Sequence, residues 1–246
     1  MARSARLGFL VPPGNPTVEP EMIAMAPEGV TVHFSRMVAH GPTGSLDGQE
    51  ERNRTMIEHM GETAALLALV KPNVIMLAHT AISATLGPRA ESQLLERLQT
   101  LCATRVATAF GSVLAALKML GATRIALGTP YGEETTLKSK ALLQEHGLQV
   151  VSYGRLSNVT NIYDETPERA YQLGRAVDKE DAQAVFLSGL GMPTIPILDR
   201  LEQDLGKPVI SAASAMMWQA LRLARVRDPV SGYGRLFASA SEPSMQ

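Results

Sequence analysis

Short runs of apolar residues alternate along the chain with longer segments in which apolar residues recur every three or four positions. The short runs, such as residues 7–11 and 74–78, are rich in aliphatic side chains and are typical of strands buried on both faces. The longer segments have the apolar spacing of helices that pack on one face. This alternation predicts an α/β fold in which mostly parallel sheets are flanked by helices.

Strands and helices can be placed in regular order from this pattern. Some helix ends are marked by residue type, since Gly121 and Gly147 follow predicted helices, where glycine enters the left-handed conformation without a steric cost. The predicted strands cover residues 7–11, 30–35, 74–78, 105–107, 124–128, 149–153, 184–188 and 209–211. The predicted helices cover residues 17–25, 49–69, 89–102, 111–120, 135–145, 167–177, 195–204 and 213–225.

The two halves of the chain repeat one arrangement. Residues 5–12 (ARLGFLVP) and 123–130 (TRIALGTP) both run from a basic residue through a buried strand to a proline. Residues 71–80 and 181–189 each carry a further apolar strand that closes in a small polar turn. The repeat predicts two pseudo-symmetric, Rossmann-like lobes. Residues 1–103 with 214–246 would form the first lobe, and residues 104–213 the second.

Composition is that of a globular chain that builds its own core, with 246 residues, 45% of them hydrophobic and 19% charged. The 23 basic residues nearly balance the 24 acidic ones, so the chain has no field that would gather nucleic acid or a membrane surface. Its apolar runs are shorter than the ~20 residues of a membrane helix. The single cysteine, Cys102, cannot form an internal disulfide, and the first residues lack the apolar core of a signal peptide. We therefore predict a cytoplasmic protein.

Polar loops follow the strands at the edge where open parallel sheets bind their ligands. These loops are residues 12–17, 79–83, 129–132 and 188–194, and each contains small or hydroxyl-bearing residues and leads into a helix. Backbone N–H groups at the start of a helix favour a small anion such as a carboxylate. The alternative is that these are ordinary turns, in which glycine, serine and threonine serve as caps.

The residues also resemble a known family. The stretch GFLVPPGNPTVEPE at residues 8–21, with TPY at 129–131 and MPT at 192–194, resembles the maleate cis-trans isomerase and arylmalonate decarboxylase branch of the aspartate/glutamate racemase superfamily. The resemblance spans nearly the whole chain. It implies an active site in the cleft between two lobes, no cofactor, and chemistry at the carbon next to a carboxylate.

Matched position by position, the resemblance assigns substrate contacts. Asn15 and Tyr131 fall on residues that hold the substrate in the relatives, and a further asparagine in the second lobe would be Asn161 or Asn158. The hydroxyls of Thr80 and Ser83 would donate to a developing enolate, with Ser188 as their counterpart across the cleft, although all three could equally be helix caps. The substrate-binding set expected on this basis is Asn15, Thr80, Ser83, Asn161, Ser188, Gly189 and Leu190.

The chain departs from the superfamily pattern at its cysteines. Racemases and isomerases of the superfamily use one cysteine from each lobe, whereas the decarboxylases keep only the second. His79 and Gly189 occupy these positions here, and Cys102 lies elsewhere, where a small buried apolar residue is expected. Glycine supplies no acid or base, so racemisation with two bases is disfavoured. A neutral imidazole is also a poorer nucleophile than a thiolate, which disfavours isomerisation by direct addition.

His79 and Tyr131 are the predicted catalytic residues. An unperturbed histidine has a pKa near 6.5 and would exchange a proton with substrate at neutral pH, but His79 could also be a hydrogen-bonded turn residue. No set of histidines has the spacing of a metal site. The glycine-rich segment 41–48 could close over a ligand or could be a mobile surface loop.

The function predicted is that of an isomerase or a decarboxylating lyase that acts on a small carboxylate or dicarboxylate by one-sided acid/base chemistry. Two alternatives stay open: a carboxylate-binding protein of the same fold without activity, and a hydrolase or hydratase that uses His79. A homo-oligomer is possible, and neither nucleic acid nor a membrane is expected as a partner.

Overall fold

A computed structural model describes residues 5–238, which form two four-stranded sheets covered by helices. The strands are β1 (Ala5–Val11), β2 (Val30–Arg36), β3 (Val74–Leu77), β4 (Arg105–Thr108), β5 (Arg124–Thr129), β6 (Gln149–Arg155), β7 (Ala184–Leu187) and β8 (Val209–Ser211). The helices are α1 (Val18–Met25), α2 (Gln49–Glu58), α3 (Met60–Ala68), α4 (Thr80–Cys102), α5 (Ala109–Met119), α6 (Glu133–Glu145), α7 (Pro167–Val177), α8 (Leu198–Leu205), α9 (Ala212–Leu223) and α10 (Arg235–Ala238). Two 3₁₀ turns span Ile162–Asp164 and Ile195–Ile197.

Both sheets are wholly parallel and have the same strand order. The first runs β2-β1-β3-β4 and the second β6-β5-β7-β8. The predicted fold class is therefore confirmed, and each predicted strand is present with small shifts at its ends. β4 pairs with β3, so β4 belongs to the first sheet. The residues at which each lobe begins and ends stay a prediction.

Two helices differ from the sequence-based expectation. The segment predicted as one helix at 49–69 is divided at His59, whose φ of −92° and ψ of 5° interrupt the helix between α2 and α3. The helix predicted to begin at residue 89 begins instead at Thr80, because the His79 ring caps it by accepting a hydrogen bond from the Ala81 N–H. Gly87, with φ of 70° and ψ of 168°, kinks α4 before Pro88, and this kink accounts for the predicted late start.

The two lobes share one core. A continuous cluster of buried residues includes Phe9 from the first sheet, Phe186 from the second, and Val113 and Trp218 from the helices α5 and α9, which pack against each other. A smaller cluster, with Ile75 among its members, lies between the other face of the first sheet and the helices α2, α3 and α4. Because burial of apolar surface is the main stabilising contribution, the shared cluster holds the lobes together. Within residues 5–238 no helix has the length and apolar character needed to cross a bilayer.

A buried carboxyl group on α1 joins the first lobe to the loop after β7. Glu21 is 5% exposed, and its Oε1 accepts hydrogen bonds from the N–H groups of Thr194 at 2.8 Å and Ile195 at 3.1 Å. Its Oε2 has no hydrogen-bond partner among the described residues. Burial raises the pKa of Glu21 from 4.5 to about 7, although the two N–H bonds oppose the rise.

We expect Glu21→Gln to remove a contribution to stability that depends on pH. The folded-state pKa lies above the unfolded value, so the protein holds this proton more tightly when folded, and that contribution is lost as the pH rises through about 7. Between about pH 5.5 and pH 8 the loss amounts to about 2 kcal/mol. Urea unfolding of wild type and Glu21→Gln at each of these pH values gives the free energy of unfolding of each protein. The difference between the two proteins should change by this amount between the two pH values.

His79 also makes the free energy of unfolding depend on pH, but with the opposite sign, because its pKa is lower in the folded protein. Wild type and Glu21→Gln both contain His79, so its contribution cancels when their free energies of unfolding are subtracted. Glu19→Gln is the matched control, since Glu19 lies on the same helix and pairs at the surface with Arg36. An equal difference between wild type and Glu21→Gln at both pH values would contradict the prediction.

Candidate active site

A pocket of about 50 Å³ lies where the carboxyl ends of the two sheets meet. Its walls come from the loops after β1, β2 and β3 in the first lobe and from the loops after β5, β6 and β7 in the second. The space admits only a few water-sized groups, so it suits a small ligand. The predicted site residues that line it are Asn15, His79, Thr80, Tyr131 and Leu190.

The remaining predicted residues do not line this pocket. Ser83 donates to Glu91 Oε1 at 2.8 Å. Ser188 lines an adjoining cavity of about 610 Å³ between α4 and α6, which shares Thr80 and Tyr131 with the pocket. Asn161 caps the 3₁₀ turn after β6 by accepting from the Tyr163 N–H at 2.9 Å, and Asn158 is exposed. A direct contact of these residues with substrate stays a prediction.

Asn15 is held firmly in the pocket wall. Its Oδ1 accepts hydrogen bonds from the N–H groups of Thr17 at 2.8 Å and Val18 at 3.0 Å. Its Nδ2 donates to the carbonyl of Leu190 at 3.2 Å, which joins the two lobes at the site. An amide nitrogen carries two hydrogens, so one N–H of Asn15 is left for a ligand.

His79 follows β3 and forms the N-cap of α4. Its Nδ1 accepts a hydrogen bond from the Ala81 N–H at 3.2 Å, so in the neutral ring the proton is on Nε2. Burial, together with a smaller effect of the positive charge of Arg52, lowers its pKa from 6.5 to about 4. The expectation that His79 titrates near neutral pH is therefore wrong, and His79 is a neutral hydrogen-bond donor at pH 7.

Tyr131 reaches the pocket from the loop between β5 and α6 and is 4% exposed. Burial raises its pKa above 10, although a side-chain hydrogen bond with Thr80 opposes the rise. Its hydroxyl lies next to Gly189, because a Cβ added at Gly189 would be 3.4 Å from the Tyr131 oxygen and 2.7 Å from Pro130 Cγ. With φ of +100° as well, position 189 favours glycine. Tyr131 thus places a protonated hydroxyl where a side chain at 189 would project.

Sequence reasoning missed Arg52, which lines the pocket from α2. Gln49, Asn53 and Met56 line the pocket too, at the spacing of one helix face. A helix face that carries both polar residues and a buried methionine is a signal in the sequence that could have identified this wall of the pocket. Arg52 brings a positive charge, and none of the described residues lining the pocket is acidic.

Residues 41–48, hereafter the lid loop, pack across the pocket onto the second lobe. The Gly44 carbonyl accepts a hydrogen bond from the Ile162 N–H at 3.1 Å. Gly44 has φ of +77°, and a Cβ there would lie 1.9 Å from Asn161 Oδ1, so a side chain at this position would prevent the contact. Asn161 therefore takes part in seating the lid loop.

The electrostatics of the pocket suit a carboxylate. The positive end of α4 begins at Thr80, the neutral His79 ring donates from Nε2, and Arg52 supplies a full charge. Among residues 5–238 no group of three or more histidine, cysteine or acidic side chains is placed to hold a metal ion.

Comparison with known proteins identifies the family of the chain. The sequence profile of the arylmalonate decarboxylase family matches residues 7–237. The chain belongs to the arylmalonate decarboxylase family. The resemblance inferred from the short motifs is thereby confirmed over almost the whole length of the chain.

Several relatives carry the name maleate isomerase. The isomerase of Nocardia farcinica is 30% identical over 250 residues, which cover 96% of each chain. A crystal structure of a cysteine-to-alanine variant of the maleate isomerase Iso from Pseudomonas putida S16 with maleate has a TM-score of 0.86 and 27% identity, covering 97% of this chain and 99% of that one. A cysteine-to-serine mutant of the Nocardia enzyme with a covalently bound succinylcysteine intermediate has a TM-score of 0.83 and 25% identity, covering 95% of this chain and 98% of that one. The prediction of an isomerase or lyase of this superfamily is thus confirmed.

Proposed function

We propose that the protein is a cofactor-independent decarboxylase that acts on a small dicarboxylate of the malonate type. The observation that carries the proposal is the character of His79, a neutral imidazole with its proton on Nε2 that caps α4 and lines a pocket whose described residues include no carboxylate. A neutral imidazole at a helix N-terminus can polarise an oxygen without transferring a whole charge. Loss of carbon dioxide requires such stabilisation of an oxyanion and does not require a base.

The geometry favours decarboxylation over isomerisation through a thiol. The Nocardia relative carries its intermediate on a cysteine. Cys102 is the one cysteine of this chain and ends α4, beyond the kink at Gly87 and just before the start of β4, so it lies at the edge of the first sheet opposite the pocket. His79 does not substitute for it as a nucleophile, because its unprotonated Nδ1 is occupied by the Ala81 N–H. We take His79 and Gly189 to stand at the positions of the two superfamily cysteines.

In the first step the bond between the α-carbon and one carboxylate breaks, and that carboxylate leaves as carbon dioxide. The electron pair passes to the retained carboxylate, which becomes an enediolate. His79 Nε2–H, the positive end of α4 and the Arg52 cation surround the retained group, since Arg52 is close enough to His79 to lower its pKa. Preorganised donors of this kind typically lower a barrier by several kcal/mol.

In the second step Tyr131 donates its phenolic proton to the α-carbon. Its raised pKa keeps the proton in place at neutral pH, and an enediolate is basic enough to take it. The hydrogen bond with Thr80 favours the phenolate that remains, so Thr80 positions Tyr131 and eases its ionisation. The phenolate then recovers a proton from water, which completes the exchange of one carboxylate for one hydrogen.

The proposal is tested by incubating the protein with malonate, methylmalonate, phenylmalonate and maleate. We expect carbon dioxide release from at least one malonate without added cofactor, and in D₂O one deuterium at the α-carbon of the product. Formation of fumarate from maleate with no decarboxylation would overturn the proposal. A rise in melting temperature with a malonate but no product would favour a carboxylate-binding protein instead.

A further inference from the structure

We propose that Arg52 is a ligand-binding residue that couples binding of a carboxylate to closure of the lid loop. The inference rests on the proposed function only in taking the ligand to be a carboxylate anion. It assigns Arg52 a role in ligand affinity and in the order of the lid, and it does not require Arg52 to take part in bond breaking.

The hydrogen bonds of Arg52 connect the pocket to the lid loop. Its Nη1 donates to the Asp47 carbonyl at 2.6 Å, and its Nη2 donates to the Ser45 carbonyl. Both carbonyls belong to the lid loop. A guanidinium has five N–H donors in a fixed plane, so three remain for a ligand while these two hold the loop.

The charge of Arg52 has no acidic partner in the part of the chain that the structure describes. Neighbouring arginines have acidic partners, since Arg54 pairs with Glu50 at 3.4 Å and Arg36 with Glu19 at 2.6 Å. No carboxylate lies within 4.0 Å of the Arg52 nitrogens among residues 5–238. Arg52 is half-buried, and a bound carboxylate would provide an opposite charge and accept from its remaining N–H groups.

The influence of this charge reaches both sides of the pocket. The Arg52 charge lowers the pKa of His79 in the first lobe. It also acts to lower the pKa of Tyr163 in the second lobe, although burial has the larger effect there and raises that pKa to about 12. His79 and Tyr163 both line the pocket. A carboxylate between them would therefore lie within the field of Arg52.

Closure and binding are linked through these contacts. The lid loop reaches the second lobe through Gly44, whose carbonyl binds the Ile162 N–H, and it packs on the first lobe through Thr43, which lies against Gly14. Arg52 fixes the adjoining part of the loop at Ser45 and Asp47. A ligand that binds better to the closed arrangement must shift the lid loop towards it, and the lid must in turn raise the affinity for the ligand.

The test compares Arg52→Lys and Arg52→Met with Arg54→Met, a control on the exposed face of the same helix. Malonate affinity is measured by calorimetry, and hydrogen exchange of residues 43–48 is followed in the full chain with and without malonate. We expect malonate to slow exchange in the lid loop of the wild type and of Arg54→Met. Arg52→Met should bind malonate about tenfold to a hundredfold more weakly.

Arg52→Lys separates charge from geometry. Lysine keeps the positive charge but cannot hold two carbonyls in the plane of a guanidinium. We expect it to retain more affinity than Arg52→Met, while malonate no longer protects the lid loop from exchange. Circular dichroism establishes that both variants are folded.

Malonate affinity in Arg52→Met equal to that of the wild type, or wild-type lid exchange unaffected by malonate, would overturn the inference. So would failure of the wild type to bind malonate, phenylmalonate or succinate at millimolar concentration. These measurements need no turnover. Absence of carbon dioxide release together with intact coupling would reject the decarboxylase and leave the role of Arg52 in place.

Discussion

Tyr131→Phe is expected to lower kcat for decarboxylation by about 10²–10⁴-fold, with KM changed much less. The variant keeps the buried ring, which is 4% exposed in the wild type, and removes the only atom that the proposed protonation step uses. Steady-state kinetics on the malonate that shows turnover measure the effect. Tyr153→Phe is the matched control, because Tyr153 lies on β6 in the same lobe and is 40% exposed.

The stereochemistry of the product separates a proton donor from a merely structural tyrosine. With a malonate that carries two different substituents, a fixed donor delivers the proton to one face of the enediolate, so the wild type should give one enantiomer. The residual product of Tyr131→Phe should approach a racemate, because water then supplies the proton to either face. A single enantiomer from Tyr131→Phe at normal rate would remove Tyr131 from the mechanism.

His79→Ala is expected to lower kcat by about 10²–10³-fold, the usual effect of removing one oxyanion donor. His79 has two roles in the proposal, since its Nδ1 caps α4 and its Nε2–H is assigned to the developing oxyanion. His79→Asn separates them, because asparagine is a good N-cap and its side chain is too short to replace Nε2. The asparagine variant should therefore retain the stability of the wild type while losing activity as the alanine variant does.

The pH profile provides an independent check on His79. Its pKa is about 4, so the ring stays neutral throughout the range above about pH 6, and kcat/KM should show no ionisation of this group between about pH 6 and 8. A limb with an apparent pKa near 6.5 that disappears in His79→Asn would contradict the neutral donor and restore an acid/base role.

The elements of the fold could be predicted because their causes are local. The central strands of both sheets are almost fully buried, so their sequences must be apolar, and the residues of β3 and β7 have no polar member. The duplicated order of strands also appeared directly in the sequence, because the same basic residue, apolar run and proline begin both halves. Helix α4 shows the limit, since Gly87 and Pro88 do break the helix as a kink, but the turns from Thr80 to Leu86 before that kink are also helical and were not predicted.

Site residues fell into two groups. Those next to the ends of buried strands, such as His79 and Tyr131, could be placed because the carboxyl edge of a parallel sheet is where ligands bind. Arg52 is in a helix, away from the strand ends, and the one sequence signal that its side chain faces a pocket is the helix face that it shares with buried Met56. Asn161 approaches Gly44 of the lid loop from the other lobe, a contact that the sequence did not indicate, and its assignment to substrate stays a prediction.

By itself the sequence determined the parallel α/β architecture, its duplication and the strand ends that meet at the pocket, because these depend on hydrophobic periodicity and on residues close together in the chain. Only the tertiary structure decided the protonation state of His79, the pairing of Tyr131 with the space beside Gly189, and the unbalanced charge of Arg52. These properties depend on desolvation and on distances between groups far apart in the sequence.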